Sequence, residues 1–319
     1  MKKFYFFTAS FHSPLPKCVL KALLKITIIS LYYTGIPDAW KGDNMKARIV
    51  PAGSKWNNFH THTYRCRHAE GDIEDFAKRA AELNMDIIGF SEHAYLPGDE
   101  NPFHLSLSEV PEYTEACRAA DGQYGGVKVL CGVECDYDPS DEAFFREFYL
   151  DKMGMDYLVG SVHELKDGRD ILDCFSNRHF GLEELKIYTG LYIKLIESRL
   201  FTFCAHPDLF GRPIEIGADP SGWDANAESA AKEIIEAAAA NSSVLEINVS
   251  GAWKTATKGY PAIIYPRREF WEIASDYDIP VILNTDAHSL ERLDAFADYG
   301  MDLIREYGLR RVELGCDRL

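Results

Sequence analysis

From residue 56 onward, short apolar runs alternate with stretches whose apolar residues recur every three or four positions. This is the pattern of repeated β/α units around a parallel sheet. Seven runs read as strands: WNNFH (56–60), DIIGFSEH (86–93), VKVLCGVE (127–134), DYLVGSVH (156–163), FTFCAH (201–206), SVLEIN (243–248) and PVILNTDAH (280–288). Helical periodicity falls on IEDFAKRAAELN after the first run, EELKIYTGLYIKLIES before the fifth and AESAAKEIIEAAAAN before the sixth, and LDAFADYGMDLIREYG supplies one or two closing helices. No Pro/Gly/Ser-rich linker and no internal repeat interrupts residues 45–319, so the pattern predicts one barrel-like α/β domain over that range.

The first 44 residues do not follow this rhythm. CVLKALLKITIISLYY is apolar, but Lys21 and Lys25 break it, and the uninterrupted ITIISLYY is too short to span a bilayer. Met45 opens a stretch leading straight into the first strand. Residues 1–44 therefore read as an N-terminal extension or a misplaced start, with a membrane-proximal segment as the alternative.

Charge narrows the partners. The chain carries 34 Lys/Arg and 50 Asp/Glu, a formal net charge of −16, which disfavours a broad grip on nucleic acid or an anionic membrane surface. Residues 1–55 hold nine Lys/Arg and two Asp/Glu, leaving about −23 on residues 56–319. Such a body suits divalent cations, with room for a local basic pocket. The eight cysteines form no CxxC pair and no dense framework, as expected of a reduced cytoplasmic protein. Cys66 and Cys135 lie beside candidate ligands, but small buried cysteines are common at strand ends.

The histidines carry the chemistry. Of ten, seven stand at or just past the end of a predicted strand: His60, His62, His68, His93, His163, His206 and His288. His12, His104 and His179 fall elsewhere. In a parallel barrel those strand ends converge on the face where active sites are built. Glu134 and Asp286 join them at equivalent places. Imidazole and carboxylate suit zinc, manganese or iron, and nine such groups exceed what one ion can use. Each alone has a plainer reading, Asp286 as a helix N-cap for instance. Together they occupy six of the seven strand ends, in order.

HTHTYRCRH, FSEHAYLP, GVECDY, VGSVH, AHPD, LEINVSG and NTDAH, in this order, resemble the PHP (polymerase and histidinol phosphatase) superfamily, and within it the monofunctional histidinol-phosphate phosphatases. The resemblance spans about residues 56–305 and implies a distorted seven-stranded (β/α)7 TIM-like barrel with a trinuclear metal site at the C-terminal ends of the strands. It implies that His60, His62, Glu134 and Asp286 hold a first ion, that Glu134, His163 and His206 hold a second, and that His68, His93 and His288 hold a third. Thr285 and Glu92 depart from the serine and aspartate common at those places in the family, which bears on substrate preference rather than on the ligands.

The activity so implied is hydrolysis of a small phosphate ester, L-histidinol phosphate first, by a hydroxide held between ions sharing Glu134. Glu134, Asp286 and His288 are the expected catalytic groups, and no separate general acid stands out. Arg178 and Arg212 are the candidate phosphate ligands by location, in competition with Arg65, Arg67 and Arg169. Glu92, Asp136 and Glu164 flank ligands and read first as carboxylates orienting them, or else as partners for a substrate ammonium. SGAWKTATKGYPAIIYP is either a cover for the pocket or a surface loop. Two other functions stay open: a phosphoesterase acting on a nucleotide or sugar phosphate, and a non-catalytic metal-binding module.

Overall fold

The computed structural model describes residues 47–53, 55–98, 101–166, 171–175, 181–210, 223–259 and 263–315. The proposed extension 1–44 lies outside them. The described strands are β1 (Arg48–Pro51), β2 (Ile87–His93), β3 (Lys128–Asp136), β4 (Tyr157–Ser161), β5 (Glu164–Lys166), β6 (Ile171–Asp173), β7 (Phe203–Cys204), β8 (Leu245–Asn248), β9 (Pro280–Asn284) and β10 (Arg310–Gly315). Strands β2, β3, β4, β7, β8 and β9 hydrogen-bond in that order, each pair parallel.

The first predicted run completes the ring as an extended segment, residues 56–62, without becoming a regular strand. On one side the Gly89 and Ser91 N–H groups donate to the Asn58 and Thr61 carbonyls, at 2.7 and 3.0 Å. On the other side His62 N–H donates to Ala287 O at 2.9 Å, and Ala287 N–H donates to His60 O at 3.1 Å. Asparagine side chains take over the rest of the ladder. Asn57 Oδ1 accepts from the Asp86 and Ile87 N–H groups, Asn284 Oδ1 from Phe59 N–H, and Asn58 Oδ1 from Thr285 N–H. Seven extended segments thus close the barrel, as the apolar runs predict, and the side-chain bonds are its distortion.

Two features have no counterpart in the sequence expectations. β10 continues the sheet parallel to the start of β9 and pairs antiparallel with β1. β5 and β6 form a short antiparallel hairpin after β4.

The helices follow local signals. Helix α1 (Ile73–Glu82) opens with a reciprocal capping box between Asp72 and Asp75 and buries Ile73, Phe76, Ala77 and Ala80, one stripe at helical spacing. After α2 (Glu109–Ala120) and α3 (Glu142–Phe144, continuing as a π-helical segment Phe145–Lys152) come α4 (Leu182–Ser198) and α5 (Ala225–Asn241). The Asp224 carboxylate caps the last of these. SGAWKTATK forms a helix, α6 (Ser250–Lys258), rather than a loop, and α7 (Arg268–Ala274) and α8 (Ala297–Tyr307) follow. No helix among the described residues is long and apolar enough to cross a membrane.

Inside the ring, Phe59, Leu130, Tyr157, Val159, Phe203, Ala205 and Ile282 pack together. Tyr157 is the plug. Its ring lies where a Cβ on Gly132 would approach to 2.7 Å, and its hydroxyl reaches the Phe59 and Phe90 carbonyls at 2.9 and 2.8 Å. Small residues on β2 and β3 therefore admit one large side chain, whose single hydroxyl proton is shared between a carbonyl of the first segment and one of β2.

Candidate metal centre

Each strand end delivers its group to one place. His60 and His62, two residues apart on an extended segment, project to the same side. β2 and β3 set His93 opposite Glu134 in register. The turn Tyr64–Cys66, closed by left-handed Arg67 at φ 64°, swings His68 back over the face. His60 Nε2 lies 3.4 Å from Glu134 Oε2 and 3.8 Å from Asp286 Oδ1, and His62 Nε2 lies 3.6 and 3.4 Å from the same two oxygens. The other Glu134 oxygen is 3.4 Å from His163 Nε2 and 3.1 Å from His206 Nε2. Glu134 thus stands between two sets of imidazoles, one oxygen toward each.

His68 and His288 meet with Nε2 atoms 2.9 Å apart. His93 is not equally near both. Its Nδ1 is 3.1 Å from Glu134 Oε2, and its ligand atoms group with His62 and His288 and also with Glu134 and His163, while its ring centre is 5.6 Å from that of His68. All nine predicted ligands converge on one face, with His62 and His93 each standing near members of more than one predicted set.

The hydrogen bonds around the rings decide what they can bind. His68 Nδ1 faces Cys66 O at 2.7 Å and His288 Nδ1 faces Asp286 O at 2.9 Å, and a carbonyl is satisfied only by N–H. In the neutral rings the Nε2 lone pairs therefore point at each other. Burial and His62 keep both neutral: they hold His288 well below the usual histidine value and His68 below it. His60 Nδ1 likewise donates to Glu246 at 2.8 Å, which turns its Nε2 lone pair inward. His60 Nε2, both ring nitrogens of His62 and His206 Nδ1 are buried without a hydrogen-bond partner. Lone pairs and carboxylates converging on shared space fit divalent cations and little else.

Without cations, protons do part of that work. Burial opposes protonation of His62, yet Asp286 and Glu92 outweigh it and push the ring up to about 9. His60 is raised well above its ordinary value, Glu246 first and then Glu134 and Asp286 overcoming its burial. Burial and the neighbouring His62 push His93 down to about 4. Glu134 and Asp286 are held well below the carboxylate range despite burial, the protonated His60 acting on both and His62 hydrogen-bonding the second.

Glu246, within the quoted LEINVSG, received no role from the sequence. It is fully buried on β8, where one oxygen accepts from His60 Nδ1 and Asn284 Nδ2 and the other from His206 N–H and Asn248 Nδ2. A carboxylate inside a strand, with asparagines two residues on and in the next strand, is the signal that could have found it. The three flanking carboxylates differ. Glu92 receives the Thr63 N–H and hydroxyl and lies 3.8 Å from His62 Nδ1, and Asp136 receives His163 N–H at 2.7 Å and lies 3.7 Å from His163 Nδ1. Glu164 reaches Asn101 at 3.5 Å.

His206 and Asp286 hold φ of 31° and 49°, a left-handed backbone uncommon outside glycine and found here at two of the predicted ligands. His104, set apart in the sequence reading, has its ring 5.7 Å from that of His93. Exposed Phe103 stands edge-on to His68. Cys66 groups with His68 and His288, but burial pushes its thiol up to about 12. Cys66 and Cys135 are both buried free thiols.

Arg178 and Arg212, the predicted phosphate ligands, lie outside the described residues, as does Arg169. Their two described competitors are engaged elsewhere, Arg65 with Asp72 and Arg67 with Glu109 at 2.8 Å.

A parallel α/β barrel with a histidine and carboxylate centre for metal at the carboxyl ends of its strands is the class these features define. The chain belongs to the PHP domain family, which it matches over residues 58–250. It is 28% identical over 260 residues to a "Probable histidinol-phosphatase" of Deinococcus radiodurans, covering 79% of this chain and 94% of that one. A Schizosaccharomyces pombe protein of the same description is 24% identical over 252 residues, 72% of this chain and 79% of its own length. The fold is shared with a candidate histidinol phosphatase HisK of Listeria monocytogenes, at TM-score 0.65 and 22% identity, over 76% of this chain and 99% of that one. It is also shared with the histidinol phosphate phosphatase of Lactococcus lactis, solved with zinc, L-histidinol and phosphate, at TM-score 0.63 and 19% identity, over 83% and 99%.

Proposed function

We propose that this protein is a metal-dependent phosphomonoesterase that hydrolyses L-histidinol phosphate to L-histidinol and phosphate. The observation that carries the reading is the inward turn of imidazole lone pairs around Glu134 and Asp286, enforced by outward Nδ1 bonds to Glu246, Cys66 O and Asp286 O. Family membership and the names of the two curated relatives supply the substrate class.

Three divalent ions, zinc, manganese or iron, are assigned to His60, His62, Glu134 and Asp286; to Glu134, His163 and His206; and to His68, His93 and His288. When bound, such ions acidify coordinated water and offset the negative charge of a phosphoryl group. The chain's own contribution is positional. Glu134 spans two ligand sets, Glu246 and the carbonyls set the tautomers, and burial of His60, His62 and Glu134 excludes bulk solvent from beneath the reacting phosphate. Water's oxygen ends on phosphorus, the ester P–O bond breaks, and a proton ends on the alcohol oxygen. Residues 45–319 act as the catalytic barrel.

Steady-state hydrolysis of a panel of phosphomonoesters, combined with elemental analysis of the same samples, tests this. Preference for histidinol phosphate is expected. Good turnover of a nucleotide or sugar phosphate with little on histidinol phosphate would move the substrate assignment. Fully metal-loaded protein inert towards every ester would sink the catalytic reading.

A further inference from the structure

Helix α6 brings a lysine to the metal centre that the sequence reading passed over. Lys254 is half-buried, and its Nζ lies 3.0 Å from Tyr265 Oη, 5.1 Å from the centre of the Phe175 ring and 5.7 Å from that of Tyr265. Those two rings are the neighbours of the second ligand set: Phe175 stands 5.5 Å from the His163 ring and Tyr265 stands 6.4 Å from the His206 ring. These contacts place the ammonium beside the second ligand set, behind the rings that flank His163 and His206.

Three arginines among the described residues have other partners. Arg65 and Arg67 pair with carboxylates, and Arg292 donates to Ser250 Oγ at 2.7 Å and to Asp286 O at 3.0 Å. Lys254 forms no ion pair with a carboxylate among the described residues, in a protein where acids outnumber bases 50 to 34. A tyrosine hydroxyl and two aromatic faces hold an ammonium in place without neutralising it. A phosphate monoester dianion over the ligand sets would be its counter-charge.

We propose that Lys254 is a phosphate-binding residue, its ammonium donating to a non-bridging oxygen of the ester and of the inorganic phosphate product, with Tyr265 Oη and the Phe175 ring fixing its position. This rests on the phosphatase reading above. The chemistry differs from that of an arginine fork: a lysine is a point charge on a flexible stem, which recognises the charge of the group more than its planar geometry.

The test uses full-length, metal-loaded protein with inorganic phosphate as probe. Calorimetric Kd for phosphate, its competitive inhibition constant, and kcat and KM on the best ester of the panel are measured for wild type, Lys254→Met and Lys254→Arg, with metal content checked for each. Lys254→Met is expected to weaken phosphate binding and raise KM by about tenfold or more, the value of a charge-assisted hydrogen bond, at unchanged metal content. Lys254→Arg should lie closer to wild type than to the methionine variant. Phosphate affinity unchanged in a folded, loaded Lys254→Met protein overturns the assignment while leaving the phosphatase reading intact. Metal loss in step with phosphate loss in both variants overturns it too, since the lysine would then be holding the scaffold. Wild-type protein that carries metal but neither binds phosphate nor hydrolyses an ester overturns both readings.

Discussion

Replacing Glu246 by glutamine changes one oxygen to an amide nitrogen at a fully buried point where four N–H groups converge. The carboxylate accepts two hydrogen bonds on each oxygen. An amide has one oxygen, so whichever way it turns, two donors face an NH2 group. At about 1–3 kcal/mol for each buried donor left unmet, the metal-free protein should lose about 2–6 kcal/mol of stability. If the nitrogen faces His60, the ring is driven to the other tautomer and Nε2–H, not a lone pair, meets Glu134 and Asp286. If it faces His206 N–H, the backbone at that left-handed residue shifts instead. Either way ligand geometry suffers, and metal affinity should fall about 10- to 100-fold, the usual cost of losing the group that orients a ligand. Urea unfolding of chelated protein reads the first quantity, and competition against a chromophoric chelator reads the second. A folded glutamine variant with wild-type metal affinity would refute the argument that Glu246 sets the His60 tautomer.

Other expectations follow from the same geometry. Glu134→Ala removes an oxygen from each of two ligand sets, and should cost at least one bound ion by elemental analysis and more than about a thousandfold in turnover; retention of both would place the centre elsewhere. His62, pushed up to about 9, must release its proton to bind a cation. Metal affinity should therefore rise about tenfold per pH unit for that proton until about pH 9, with proton release seen by calorimetry in two buffers; a flat profile between pH 7 and 9 contradicts it. The same raised value means that the chelated protein keeps this stabilisation below about pH 6.5, the unfolded value, and loses it as pH climbs through 9. Unfolding midpoints of chelated and loaded protein across that window should thus diverge. Gly132→Ala sets a methyl against the Tyr157 ring and should destabilise by about 1–3 kcal/mol through overpacking; an unchanged urea midpoint would show that the plug can yield.

Period and composition carried much of this molecule. The seven apolar runs become the seven staves of the ring because burial on both faces demands continuous apolar strands, and a parallel arrangement puts all their ends on one side. That is why His60, His93, Glu134, His163, His206 and Asp286 could be grouped from spacing alone. Less was legible where the chain breaks its own pattern. The 56–62 segment looks like an ordinary strand in sequence, yet asparagine side chains supply part of its bonding. The helix at Ser250–Lys258 carries few periodic apolar residues and read as a loop.

What sequence alone determined is that the predicted ligands share one face of the barrel, because that depends on local periodicity and on position within a strand. Tertiary structure decided what those ligands can do. The acceptor that sets the His60 tautomer lies 186 residues away, and the ring that confronts His68 lies 220 residues away. Such pairings leave no trace in spacing, since they depend on how barrel closure brings strand ends together. Lys254 lies against one ring close in the chain, Tyr265, and one far from it, Phe175, which only the fold brings beside it.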